Sequence, residues 1–146
     1  MTPETIFTIC NYGVLPAWLL LAVAPAWSGT QRIVQQIWIP CLLGALYLFV
    51  FVTAPAAPAR GGMTSLGGVM ALFSSPHIML VGWVHYLVFD LFVGAWEVRD
   101  ARRRSIDHGM VVPCLFLTLM VGPVGLLVYL VLRWTLRREV GLEETT

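Results

Sequence analysis

Lysine is absent from this chain and charge of either sign is scarce: nine arginines and eight acids make up 12% of 146 residues. A soluble domain carries about 25% charged residues, so this composition excludes one. The arginines are scattered over connections and the tail, so there is no basic face for nucleic acid, and that class of partner is excluded. Cysteine is equally sparse. Cys10, Cys41 and Cys114 stand apart in apolar surroundings, a pattern that fits neither a disulfide framework nor zinc-ligand spacing, and they are read as packing residues. The Glu-x-x-His pairs of di-iron helix bundles are missing as well, so neither a metal nor another cofactor is expected. A basic secretory leader is also lacking. Met1-Thr2-Pro3-Glu4 carries an acid instead, and the first apolar run is too long for a signal core, so it is expected to be retained.

What the chain does have is apolar length. It is 58% hydrophobic, with mean hydropathy +0.80. Four runs, Ile6 to Trp27, Ile33 to Ala54, Pro76 to Glu97 and Met110 to Arg133, each approach the ~20 residues that a helix needs to cross about 30 Å of hydrocarbon. The expectation is an all-α, integral membrane four-helix bundle, multi-pass and forming a single transmembrane domain over residues 1–146. No connection is long enough for a soluble catalytic domain, so any chemistry lies between the helices or at their ends.

The long exception, Pro55 to Ser75, begins with a Pro- and Gly-rich punctuation ending at Gly61-Gly62 and continues as Met63 to Phe73. That second part is about 11 residues, too short to span, and reads as an interfacial or re-entrant half-helix. Ser74-Ser75-Pro76 then restarts the chain as a helix, because proline at the first helical position forfeits only a donor that the first turn cannot use. Pro16, Pro25, Pro40, Pro113 and the pair Gly122-Pro123 interrupt the other runs, and Gly122-Pro123 offers freed carbonyls that could line a cavity toward the third span. With alternating spans, the basic residues divide into Arg32, Arg99, Arg102, Arg103 and Arg104 on one side and Arg60, Arg133, Arg137 and Arg138 on the other. That near balance gives only a lean toward a cytoplasmic 98–109 loop with both termini outside.

The third run holds the residues that most need explaining. Asp90 sits in its interior, and a carboxylate near a bilayer centre costs roughly 2.5–3.5 kcal/mol on insertion scales, so it must face a partner, water or a ligand. Stepping 100° per residue places Trp83, Tyr86, Asp90, Gly94 and Glu97 on one stripe about 80° wide, with His85, Phe89, Phe92 and Trp96 opposite. Asp90 and His85 are therefore about 140° apart and must each find a partner elsewhere. Asn11, Tyr12, Gln35, Gln36, Tyr47, Thr118 and Tyr129 are the polar candidates. Arg99 and Asp100 close the helix and suit a polar clamp on an amphiphilic ligand, although a solvated, snorkelling helix end explains them too. Aromatics beside an acid suit a long conjugated or isoprenoid ligand.

These residues also carry a resemblance. Trp83-Val84-His85-Tyr86-Leu87-Val88-Phe89-Asp90-Leu91-Phe92-Val93-Gly94-Ala95-Trp96, then Arg99-Asp100-Ala101, is similar to the abscisic-acid-deficient-four-like membrane protein family, which includes plant neoxanthin synthase. So is Val112-Pro113-Cys114-Leu115-Phe116-Leu117-Thr118-Leu119-Met120-Val121-Gly122-Pro123. Asn11 with Val14-Leu15-Pro16-Ala17-Trp18 extends the similarity into the first span. The resemblance implies a place in carotenoid metabolism, where plant members are linked to conversion of the epoxide violaxanthin to allenic neoxanthin, an isomerisation with no net redox change and no redox cofactor. Carried onto this sequence, that chemistry needs an acid at the epoxide oxygen and a base at the polyene. Asp90 and His85 stand as the catalytic candidates, with Trp83, Tyr86, Asn11, Glu97, Arg99, Asp100 and Trp96 as substrate-binding candidates. The expected partners are a carotenoid or isoprenoid ligand, the lipid bilayer and a possible homo-oligomer or membrane-complex subunit. The chain looks close to a minimal core without a plastid-targeting extension, which suggests a bacterial-type member in an inner membrane. The competing reading is a non-catalytic pigment- or lipid-binding accessory subunit, such as one in a photosynthetic assembly.

Overall fold

The computed structural model describes residues 2–36, 38–139 and 141, and among these every regular element is helical. In chain order they are α1 (Pro3–Gly13), α2 (Leu15–Val23), α3 (Ser28–Ile33), α4 (Trp38–Thr53), α5 (Leu66–Phe73), α6 (Pro76–Arg103), α7 (His108–Val121) and α8 (Pro123–Arg137). Two stretches are long and apolar enough to cross a membrane: Pro3–Val23, which is α1 and α2 joined through Val14, and α6, at 21 and 28 residues.

Local chemistry explains the boundaries. Thr2 caps α1 by accepting a hydrogen bond from the Thr5 amide at 3.2 Å, with Pro3 in the first turn. After α2 the chain turns through Ala24-Pro25, and the carbonyls there are satisfied by side chains. Thr30 Oγ1 donates to Ala24 O at 2.7 Å, Gln31 Nε2 to Ala26 O at 2.9 Å and Gln35 Nε2 to Pro25 O at 3.2 Å. This bonding holds α3 as a separate short helix that takes up Ile33, and the rest of the second apolar run supplies α4, of 16 residues. The expected half-helix is α5, capped by Ser65 Oγ, which accepts from Gly68 N at 3.1 Å. As expected, α6 begins at Pro76.

The chain forms two compact units. Unit 1 comprises Met1–Pro16 and Ile37–Phe89, and unit 2 comprises Ala17–Gln36 and Asp90–Thr146. Unit 1 gathers α1, α4, α5 and the first half of α6 around an apolar interior with Cys10, Val50, Leu80, Val81, Val84 and Leu87 buried. Unit 2 gathers α2, α3, the second half of α6, α7 and α8. Its core is built of Leu21, Leu91, Val98, Val111, Leu115 and Tyr129, all nearly or fully excluded from solvent.

Unit 2 corrects one element of the four-helix expectation. The run Met110 to Arg133 is not a single span: it breaks at Gly122, whose φ of +43° belongs to the left-handed region that favours glycine. The helices on either side fold back on each other. A methyl group at Gly125 would collide with the Thr118 backbone, and the far end of α8 returns to the start of α7, where Arg137 Nη2 donates to Ser105 O. At 14 and 15 residues, α7 and α8 are each only about 21–22 Å long. The backbone at the tip is nonetheless satisfied. Gly122 N donates to Thr118 O at 2.9 Å, and Gly122 O accepts from Gly125 N at 3.0 Å and Leu126 N at 3.4 Å.

Candidate functional site

In unit 1, α4, α5 and α6 enclose a cavity of about 760 Å³, within the roughly 300–1,000 Å³ of small-molecule sites. Its walls are largely apolar, from Phe51, Leu72, Phe73 and Val81, and its polar groups are Tyr47 and His85. The two rings lie 6.0 Å apart, and the Phe89 ring lies 4.6 Å from the imidazole. Gly82 lets α5 approach α6 here: a methyl in its place would fall 2.5 Å from the Phe73 ring. His85 is itself exposed and lines the cavity. Trp83 and Tyr86 on this half of α6 make a tilted ring contact at 5.3 Å, and Trp83 also packs against Phe7 at 5.3 Å. The Trp83 indole nitrogen is buried without a hydrogen-bond partner among the described residues. Asn11 lies half-buried on α1 in the same unit.

In unit 2 the polar residues of α6 are drawn inward. Glu97 and Asp100, both candidates for substrate binding, are buried at 0% and 4% exposure. The reason is that α7 and α8 supply partners. Thr118 Oγ1 donates to Glu97 Oε1 at 3.0 Å. Tyr129 OH donates to Asp100 Oδ2 at 2.7 Å, and Arg104 Nε donates to both Asp100 oxygens at 3.1 and 3.2 Å. Arg133, only 1% exposed, brings Nη1 to 3.4 Å from Asp100 Oδ2 and Nη2 to Gly141 O. Glu139 forms a further ion pair with Arg104. Trp96 closes this layer with an edge-on contact to the Tyr129 ring at 5.5 Å. One carboxylate balanced by two guanidiniums and a phenol is a compensated network, and such networks fix geometry because breaking them leaves buried charge. The second Glu97 oxygen, Oε2, and Arg133 Nε are buried with no hydrogen-bond partner among the described residues.

Asp90 is also in unit 2. A methyl at Gly122 would sit 3.0 Å from its Oδ1 and 3.4 Å from Oδ2, so the carboxylate lies directly against the α7–α8 tip. Gly94, one turn further on, is covered by Trp18, whose ring would come within 2.6 Å of an added methyl. Arg99 is half-buried and donates from Nη1 to Gln35 O at 3.1 Å, tying α6 to the segment after α3.

The sequence candidates thus fall into two groups. Trp83, His85, Tyr86 and Asn11 belong to unit 1, while Asp90, Trp96, Glu97, Arg99 and Asp100 belong to unit 2.

The family described as ABA DEFICIENT 4-like matches residues 5–129, from α1 to Tyr129. The chain belongs to the ABA DEFICIENT 4-like family. Among curated proteins it is similar to Protein ABA DEFICIENT 4, chloroplastic, from Arabidopsis thaliana, at 27% identity over 135 residues. The match covers 88% of this chain and 60% of the plant protein, so the chain spans less than two thirds of the relative's length. No solved structure matches.

As a member of the ABA DEFICIENT 4-like family, the chain keeps its cavity and most of its buried polar network within the matched stretch, whereas Arg133 lies beyond it. Arg133 and Arg104 are the functional-looking residues that sequence reasoning missed. The available signal was the spacing of Tyr129 and Arg133, four apart on one helical face, which suits a shared buried acid.

Proposed function

We propose that this protein acts in carotenoid or isoprenoid metabolism as a multi-pass membrane isomerase, holding the cyclic end and adjoining polyene of its ligand in the cavity of unit 1. The observation that carries this reading is the apolar cavity of about 760 Å³ with His85 exposed on its wall beside Tyr47. Such a chamber suits a molecule that is hydrocarbon except for an oxygen at one end. The family assignment supports the same substrate class.

In this reading the reaction is an epoxide opening without net redox change. A protonated His85 gives its proton to the epoxide oxygen as the C–O bond breaks, and the neutral imidazole then takes a proton from the polyene as the new double bond forms. Protons and electrons balance, and one histidine fills both roles because an imidazole can both give and take a proton. Tyr47 orients the oxygen. Asp90, Glu97 and Asp100 act through unit 2, holding α6 in register. The buried acids favour a second reading, a pigment-binding scaffold, because a compensated network such as that around Asp100 is what a purely structural helix bundle would contain.

The test is pigment profiling, by liquid chromatography with mass spectrometry, of carotenoid-producing cells that express the wild type, His85→Ala or Asp90→Asn at matched membrane levels. A new isomer made by the wild type and lost in His85→Ala supports the isomerase. Identical profiles, with pigment co-purifying with all three proteins, support the scaffold instead.

A further inference from the structure

The break at Gly122 changes which arginines share a face. With α7 and α8 folded into a hairpin, Arg137 reaches Ser105 O, and Arg138 follows it over the Trp134 ring at 5.5 Å. Arg133 joins Arg104 on Asp100, so the tail arginines lie beside the Arg102-Arg103-Arg104 end of α6. Arg99, bonded to Gln35 O just after α3, brings the last turn of α3, which carries Arg32, to the same end. The end of α2 meets it as well, since His108 Nε2 lies 2.8 Å from Ala22 O. Eight of the nine arginines therefore collect at one end of unit 2, and the ninth, Arg60, is outside that unit. Of the acids at this end Glu97 and Asp100 are turned inward to Thr118, Tyr129, Arg104 and Arg133, whereas Asp107 and Glu139 are exposed together with Arg32, Arg102, Arg103, Arg137 and Arg138.

The hairpin itself has the dimensions of a half-span. Its arms are about 21–22 Å long, shorter than the ~30 Å of hydrocarbon. Asp90 marks the level of the tip, and the 13 residues from there to Arg103 rise about 20 Å. The outer faces of the arms are apolar, with Phe116, Met120, Leu127 and Val131 all more than half exposed. Irregular backbone is tolerated at membrane depth only where it is satisfied and buried in protein, and Gly122 is both.

We propose that α7–α8 is a re-entrant hairpin, entering and leaving the membrane at the arginine-bearing end of unit 2, and that this end rests on the anionic, phosphate-bearing lipid headgroups of the cytoplasmic leaflet. Basic residues near span ends select the cytoplasmic side, and eight of nine on one face is decisive where five against four was not. Each exposed arginine near an anionic surface adds about 1 kcal/mol of attraction, which counts Arg32, Arg102, Arg103, Arg137 and Arg138 but not Arg104 and Arg133, already paired with Asp100. The open cleft formed by Gln35, Arg99, Arg102 and Arg103 is the seat for one headgroup phosphate. The residue following α8 and the loop before α7 then lie on the same side of the membrane.

The decisive experiment labels Ser105→Cys and Glu139→Cys, each in a full-length background with Cys10, Cys41 and Cys114 replaced by serine, using a membrane-impermeant maleimide on spheroplasts and inside-out vesicles. Labelling of both positions in inside-out vesicles only is the expected result. Labelling from opposite faces would mean that residues 110–133 cross the membrane, and overturns the hairpin. If the cysteine-free background fails to fold, protease protection of a C-terminal tag on the native sequence reads the same topology. The lipid partner is tested with the purified protein on phosphatidylglycerol and phosphatidylcholine vesicles. Preferential retention on phosphatidylglycerol, weakened in the Arg102→Gln/Arg103→Gln double variant, supports the proposal. Equal retention on both lipids, or full displacement by inorganic phosphate at matched ionic strength, overturns the headgroup assignment.

Discussion

The two halves of α6 treat polar side chains in opposite ways. Up to Phe89 the helix exposes His85 beside a chamber whose walls are mostly hydrocarbon, and leaves Trp83 and Tyr86 half-buried in contact with each other. From Asp90 onward it buries Glu97 and Asp100 and meets them with Thr118, Tyr129, Arg104 and Arg133. The same helical geometry serves both halves. What differs is the element packed against each: α4 and α5 bring few hydrogen-bonding side chains to unit 1, whereas α7 and α8 bring several to unit 2. An unsatisfied histidine is tolerable when it faces an open cavity, but a buried carboxylate is not tolerable without partners. Unit 1 is therefore the half suited to holding a ligand, and unit 2 the half suited to holding its own shape.

That contrast can be broken most forcefully at Gly125. Gly125→Val places side-chain atoms inside the Thr118 backbone, which cannot move aside. A loss of about 3 kcal/mol or more is expected, seen as failure to accumulate in membranes, because overpacking against backbone exceeds the usual penalty of a tight core. Near-normal yield and thermal stability in detergent would show that the hairpin is loose, and unit 2 would lose its claim to be the rigid half.

Arg133→Met comes next. It removes one of two cations from Asp100, and loss of a partner in a buried pair costs about 3–5 kcal/mol. Arg104 and Tyr129 remain on the carboxylate, so the lower end of that range is expected in thermal unfolding of the detergent-solubilised protein. Tyr129→Phe sharpens the comparison with a smaller change. The ring keeps its contact with Trp96 while the bond to Asp100 is lost, and a hydrogen bond to a charged group is worth about 1.5–3 kcal/mol. If Arg133→Met and Tyr129→Phe are additive in the double variant, the two groups act separately; a coupling above about 0.5 kcal/mol identifies one network.

The smallest effect on stability belongs to unit 1. His85→Ala removes an exposed side chain, so a change within about 0.5 kcal/mol is expected, together with loss of product or of ligand retention. A large destabilisation there would mean that His85 is a structural residue and that the contrast between the halves is false.

Much of the architecture was legible in the sequence because it depends on local rules. Apolar run length marked Pro3–Val23 and α6, Ser-Pro marked the start of α6, and Met63 to Phe73 announced the half-helix that became α5. The fourth run was misread for a physical reason. Hydropathy measures apolar length and is blind to direction, and Gly122-Pro123 is compatible with either a kinked span or a reversal. The Glu97 and Asp100 environment was hidden in the same way. An acid and an arginine at the ends of apolar runs look like snorkelling groups until a partner 29 residues away, such as Tyr129 for Asp100, is placed beside them.

The sequence by itself determined that this is an apolar, helical chain poor in charge, and that Asp90, Glu97 and Asp100 share one long helix with His85. Only the tertiary structure decided that the run 110–133 doubles back, that Glu97 and Asp100 face inward, and that His85 borders a cavity. Helix formation follows from hydrogen bonds within four residues and from periodicity, which the chain writes locally. The positive φ at Gly122 and the burial of a carboxylate are worth their cost only when distant residues arrive to meet them, and no local pattern records that arrival.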